Sequence, residues 1–226
     1  MTVKHLLLGA MMLMSTTAFG QQQPAAEILD NTVPQKARLF IMASELVRYG
    51  YAQKSALPLI QAVQIYKDLD LTEIALDGPK TQSGTAVTST LVKGDDIQFD
   101  EAKLLADATT FADGDKTLLA LIKDTQKKSR GAVGPCPYKR DRVLAGHTDT
   151  WIYNFKAGEY TCVVVSGDGD TDLDLNIYEE DGTLVASDTD YTDDCICAFI
   201  PRYTGKYFIK ITNRGRVYNN YILMTN

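Results

Sequence analysis

Seven short runs of β-type residues, separated by turn signals at near-regular spacing, fill the second half of the chain and leave little choice of architecture. They span residues 151–155, 160–165, 173–178, 183–187, 195–200, 206–212 and 218–224. Between them stand Lys156-Ala157-Gly158, Gly167-Asp168-Gly169-Asp170, Glu180-Asp181-Gly182, Thr204-Gly205 and residues 213–215. Strands this short cannot bury both faces alone, and seven of them at this spacing predict an antiparallel sandwich. The run Leu173-Asp174-Leu175-Asn176-Ile177 alternates strictly, so Leu173, Leu175 and Ile177 should face the core while Asp172, Asp174 and Asn176 face outward.

The first half follows a different period. Residues 35–49 place Ala37, Phe40, Ile41, Ser44 and Val47 at the spacing of one helical face, with Gly50 as a stop. Ser55 can cap a second helix, with Pro58 in its tolerant first turn and Leu59, Ala62, Val63 and Tyr66 as its apolar stripe. Residues 77–96 read as a loop with room for a short hairpin. Asp100 opens a third helix carrying Leu104, Leu105, Ala108 and Phe111; Asp113-Gly114-Asp115 turns it, and Leu118, Leu119, Leu121 and Ile122 belong to a fourth. A faint repeat, with Ala37-Arg38-Leu39 matching Ala102-Lys103-Leu104, suggests two related helical hairpins forming a four-helix-like unit. Near Arg130 a Gly/Pro-rich stretch, Gly131-Ala132-Val133-Gly134-Pro135-Cys136-Pro137, reads as a linker. The predicted plan is α + β in two domains: helices over 21–130, a linker over 131–141 and a sandwich over 142–226.

Residues 1–20 have their own character. Lys4 precedes an apolar run from Leu6 to Phe19 that ends at the small residues Ala18 and Gly20, the pattern of a cleavable signal peptide. The run is shorter than the ~20 apolar residues that span a bilayer, and no other segment comes closer. The expected location is therefore the periplasm or the exterior, with no membrane span after cleavage. Removing the leader removes one lysine and leaves 22 basic against 29 acidic residues, a net charge of −7. That sign disfavours nucleic acid and anionic membranes, which demand a basic face. Between Lys156 and Arg202 the chain has twelve carboxylates and no Lys or Arg.

Four cysteines, Cys136, Cys162, Cys195 and Cys197, all lie in the second half. In an exported chain an even count suggests two disulfides. Cys195 and Cys197 sit two apart on a strand, ~6.5 Å along one face, too far for the ~3.8 Å Cβ approach of a disulfide. The expectation is that Cys136 and Cys162 each bond one member of that pair. The alternative is four reduced, buried thiols.

One stretch is similar to a known family. Gly167-Asp168-Gly169-Asp170-Thr171-Asp172-Leu173-Asp174-Leu175, then Asp181-Gly182, then Pro201-Arg202-Tyr203-Thr204-Gly205-Lys206-Tyr207, resembles the bacterial pre-peptidase C-terminal domain over about residues 142–226. The resemblance implies a jelly-roll-like sandwich of the kind appended to secreted peptidases, aiding export or binding substrate. The usual peptidase domain is absent, so no protease activity carries over.

No catalytic constellation stands out. The single histidine beyond the leader, His147, has no Gly-x-Ser-x-Gly nucleophile turn or His-Glu-x-x-His zinc motif beside it. Asp168, Asp170 and Asp172, joined by Asp188, Asp190 or Asp194, form a candidate calcium site of oxygen ligands, against the plainer reading of a solvated acidic face. Leu173 stands where a calcium loop of the helix–loop–helix type needs glycine. Trp151, Tyr178, Tyr191 and Tyr203 are candidates for a ligand surface, since nine of the twelve tyrosines and the single tryptophan lie from Tyr138 onward. The leading expectation is a non-catalytic exported protein binding protein, peptide or glycan partners. A secreted hydrolase with a carboxylate-based site at the domain junction is the alternative.

Cleavage after Gly20 is expected, and mass spectrometry of exported protein should give a chain that begins at Gln21. A product that keeps Met1 and pellets with membranes would refute the leader.

Overall fold

A computed structural model of the protein describes residues 32–74, 80–127 and 136–226. The leader, residues 1–20, and the first part of the linker, residues 131–135, lie outside the described residues. Four helices come first: α1 (Thr32–Ala52), α2 (Ala56–Asp68), α3 (Glu101–Phe111) and α4 (Lys116–Thr125). Two short strands lie between α2 and α3, β1 (Leu71–Glu73) and β2 (Thr81–Gly84). Eight more follow: β3 (Cys136–Val143), β4 (His147–Phe155), β5 (Thr161–Gly167), β6 (Leu173–Glu179), β7 (Leu184–Asp188), β8 (Asp194–Phe199), β9 (Gly205–Asn213) and β10 (Asn219–Thr225). Each of the seven runs read from the sequence is a strand.

The strands form two five-stranded sheets, ordered β1-β3-β10-β5-β8 and β2-β4-β9-β6-β7. All pairings are antiparallel except β1 with β3. Facing side chains of the two sheets build one core from Trp151, Phe155, Val163, Val165, Leu173, Leu175, Ile177, Tyr207, Ile209, Ile211, Tyr221 and Leu223. The helices pack on the outer face of the first sheet. Phe40, Leu59, Ile60, Val63 and Leu104 share a second core with Cys136, Cys162, Val164, Ile222 and Met224. The molecule is thus layered: helices, first sheet, second sheet. Each fully buried Leu, Ile or Phe contributes about 1.5–3 kcal/mol of transfer free energy, so neither interface is dispensable.

This arrangement corrects several expectations. The helical core is not closed by helices alone: Cys136, Cys162, Val164, Ile222 and Met224 of the first sheet complete it. The linker does not extend to residue 141: β3 starts at Cys136, pairing with β10 and β1. The first half also contributes an edge strand to each sheet, β1 and β2. Gly50 is not a helix stop, since α1 continues to Ala52. A Cβ there would lie 2.5 Å from Leu59 Cδ2, so glycine is what lets α1 and α2 approach. Ser55 occupies the N-cap position of α2 without a side-chain capping bond, whereas Asp100 and Asp115 accept backbone N–H groups at the starts of α3 and α4.

The two expected disulfides are absent. All four cysteines are free and buried. Alternation explains why. On β5, Cys162 and Val164 face the helices while Val163 and Val165 face the sandwich core. Cys195 and Cys197 pair with Val165 and Val163 and point into that same core. Cys136 faces the helices with Cys162. Each expected bond would have to pass through the sheet. Burial pushes the Cys162 thiol up to about 11 and Cys197 up to about 12.

Four thiols should therefore titrate after unfolding protein purified without reductant, and essentially none before unfolding, since neither access nor thiolate is available. A count of two or zero in denaturant would restore a disulfide.

Candidate functional site

The helices cover the first sheet, and among the described residues no element packs on the outer face of the second. Alternation sets what that face displays. Strands β4, β9 and β6 send Asp149, Trp151, Phe155, Tyr207, Ile209, Ile211, Leu173, Leu175 and Ile177 inward, so the residues alternating with them point out. Register then aligns Ile152 with Phe208, Phe208 with Tyr178, and Tyr178 with Leu184, across β4, β9, β6 and β7. The result is an apolar stripe running across four strands, about 14 Å long at ~4.8 Å per strand. Ile152, Phe208 and Tyr178 are half-buried and Leu184 is exposed.

Polar ladders run beside the stripe. Thr81, Thr150, Lys210, Asn176 and Ser187 form a row across all five strands. Beyond it come Ser83, Thr148, Thr212 and Asp174. Thr148 and Thr212 hydroxyls are 2.8 Å apart, and the Lys210 ammonium lies 4.5 Å from the Tyr178 ring centre. Asp174 is covered by Arg214, which donates at 2.5 Å from Nε and approaches at 2.5 Å through Nη2. Asp174 thus leaves the core as the alternation predicts but is buried all the same.

Of the four aromatic candidates, one belongs to this surface: Tyr178. Trp151 does not, because it points into the core and donates from Nε1 to Tyr221 Oη at 2.7 Å. Tyr203 stacks on Tyr207 with ring centres 5.1 Å apart, and its hydroxyl accepts from the Glu180 backbone N–H. Tyr191 is 97 % exposed, in the turn between β7 and β8. Ile152 and Phe208 went unread because an apolar residue in a core strand gives no sign of its face until register is known.

The proposed calcium ligands do not converge. Asp168 and Asp170 both bind the Lys93 ammonium, at 2.6 and 2.5 Å. Asp168 also accepts the Asn220 backbone N–H at 2.7 Å. Asp188 accepts the N–H of Ile196, and Asp190 binds Thr192 within its own turn. Asp172 leaves one buried carboxylate oxygen without a partner. Asp194 pairs with Arg48 at 2.5 Å. Among the described residues no group of three or more His, Cys, Asp or Glu side chains is placed to hold a metal ion. A lysine and an arginine from the first half stand where cations were expected.

The helix–sheet junction carries a groove of about 500 Å³ bounded by Lys67, Asp70, Glu101, Tyr138 and Arg140 among others. Its acids are largely paired: Glu101 with Lys67 at 2.7 Å, and Asp100 with Arg140 at 2.5 Å. The Arg140 bond holds the Asp100 carboxyl below its ordinary range, the opposite of what a general acid needs. His147 is elsewhere, with Nδ1 2.8 Å from the Ala145 carbonyl.

No family model matches the chain, and no curated protein matches it. Solved structures resemble part of it. The pre-peptidase C-terminal domain of a collagenase from Bacillus anthracis matches 39% of this chain and 87% of its own, at 15% identity and a TM-score of 0.36. PliG, a periplasmic inhibitor of g-type lysozyme from Aeromonas hydrophila, matches 40% and 84%, at 14% identity and 0.32. A carbohydrate-binding module of lichenase 5A from Cellvibrio mixtus, solved with cellotriose, matches 38% and 86%, at 11% identity and 0.24. The family resembled by residues 142–226 is therefore also that of a solved structure similar to part of this chain.

Lys93 should be a stabilising residue with a pH signature. Burial raises the Asp168 carboxyl above its usual range, and the Lys93 bond opposes that shift. A carboxyl raised in the folded state binds more protons folded than unfolded, so its contribution falls as pH rises from the ordinary carboxylate range through the folded value. Lys93→Met strands the charge and should cost about 3 kcal/mol at pH 7, as breaking a buried pair does. The deficit should shrink as pH is lowered into the ordinary carboxylate range, where the raised Asp168 carboxyl is protonated, and Lys93→Met with Asp168→Asn should recover part of it. Denaturant melts at neutral pH and in that range check this; an equal deficit at both would refute it.

Proposed function

We propose that this is an exported, non-catalytic binding protein whose open sheet holds an extended glycan. The observation that carries this reading is the in-register stripe of Ile152, Phe208, Tyr178 and Leu184 beside the ladder of Thr81, Thr150, Lys210, Asn176 and Ser187. A sugar ring has an apolar C–H face and a rim of hydroxyls. Aromatic and aliphatic side chains suit the first, and hydroxyl, amide and ammonium groups suit the second. A row of like side chains across several strands suits a repeating ligand better than a compact one. The stripe is one residue wide, far short of the ~800 Å² that each partner buries in a stable protein–protein interface. Export rests on the leader pattern of residues 1–20. The hydrolase alternative gains nothing from the junction groove, where Asp100 and Glu101 are tied to Arg140 and Lys67.

Affinity electrophoresis of the protein through gels containing a panel of soluble polysaccharides tests the reading. At least one polymer should retard it, and Phe208→Ala should weaken that binding by about tenfold or more, as truncation of an aromatic anchor does. The thermal melt should hardly move, because Phe208 is outside both cores. Retardation by no polymer, or retardation indifferent to Phe208→Ala and Tyr178→Ala, would overturn it.

A further inference from the structure

The charge of the open sheet is opposite to that of the molecule. The whole chain has a formal net charge of −6, yet the outward residues of β4, β9 and β6 are Thr148, Thr150, Ile152, Asn154, Lys206, Phe208, Lys210, Thr212, Asp174, Asn176 and Tyr178. The one carboxylate among them, Asp174, is neutralised by Arg214. Lys206 on β9 pairs with Asn154 on β4 and so lies on one side of the stripe, while Lys210 lies on the other. Among the described residues neither lysine forms an ion pair, whereas Lys67, Lys80, Lys93, Lys103 and Lys139 all do. The neighbouring acid Glu180 follows Tyr178 by two residues, on the Lys206 side of the stripe, where β6 gives way to the β6–β7 turn.

Two ammonium groups outside any ion pair among the described residues, one of them over the Tyr178 ring, bracket an apolar stripe, and the outward positions of β4, β9 and β6 hold no unpaired carboxylate; this favours an acidic partner. Retaining them costs solvation only if the ligand brings no counter-charge. We infer that the glycan held by this face is anionic, its carboxylate or sulfate groups meeting Lys206 and Lys210 on either side of Ile152, Phe208, Tyr178 and Leu184. The inference rests on the glycan-binding reading and adds the class of sugar. Exposed ion pairs are individually weak and screened over ~10 Å at 0.1 M salt, so the preference is a matter of several-fold and shrinks as salt is added.

Matched polymers separate the two claims. Carboxymethyl cellulose against hydroxyethyl cellulose, and polygalacturonate against its methyl ester, change charge on a common backbone. Dextran sulfate against dextran distinguishes sulfate from carboxylate. With the leader-cleaved protein, the charged member of at least one pair should bind on the order of tenfold more tightly at 20 mM salt, and the ratio should fall toward one at 500 mM. Lys206→Gln with Lys210→Gln should bring the ratio to about one at low salt. Equal retardation by both members of every pair that binds would overturn the anionic assignment and leave the glycan reading standing. A charged preference that survives the double substitution would overturn the assignment to these lysines. Retardation by none of the polymers would sink the glycan reading and this inference with it.

Discussion

Charge exchange between the two halves of the chain holds the layers together. The β-rich half buries Asp149, Asp168, Asp174 and Asp193, each of which would be costly to leave unpaired. Its stretch from Lys156 to Arg202 has no cation of its own. The first half supplies most of the deficit. Arg48 on α1 reaches Ser166, the Gly167 carbonyl, Asp193 and Asp194; Lys80 reaches Asp141 and Asp149; Lys93 reaches Asp168 and Asp170. Asp149 has no exposed surface and is held by Lys80, Gln82 and the Tyr221 hydroxyl. Even so, burial leaves the Asp149, Asp168 and Asp193 carboxyls above their ordinary range. The pairs recover part of the desolvation cost rather than add a surplus.

That exchange fixes which faces are closed. Arg48 binds the rim of the first sheet while its helix packs on β5, so the helical layer is seated on that sheet by both charge and apolar contact. Lys80 and Gln82 anchor β2 along the edge of the second sheet without crossing its outer face. One surface of the three-layer stack is left without a covering element among the described residues, and its side chains are the ones whose arrangement suits a ligand.

Much of this was legible in the residues, for reasons that differ by element. The seven later strands have period-2 runs long enough to see and turns rich in Gly and Asp to bound them. The strand Leu71–Glu73 has only three residues, and Thr81–Gly84 is polar and exposed, so neither shows a periodicity. The strand Cys136–Val143 hid behind Lys139, Arg140, Asp141 and Arg142, because a half-buried strand can carry long charged chains whose stems cover apolar surface. Tyr178 stands in the sequence as a candidate surface aromatic, and it lies in the stripe. Trp151 is a candidate on the same grounds, and it is core. Its spacing of four from Phe155 puts both on one face, a sign available in the sequence. Lys93, a lone lysine in a Thr-rich loop, gave no local sign at all; its partners are 75 and 77 positions away.

The strand order has a consequence for how the chain is assembled. β10, the tenth strand in sequence, sits in the middle of the first sheet between β3 and β5. A ribosome or an export channel delivers the chain from its N-terminus, so the helices, both edge strands and the three cations all arrive before the strand around which their sheet is organised. Until residues 219–225 are present, β3 has no antiparallel neighbour, β5 has only β8, and the helices have half a floor. Completion of the first sheet therefore waits for its central strand. That sheet stays open at its centre, with β3 and β5 unjoined, until the strand Asn219–Thr225 has emerged.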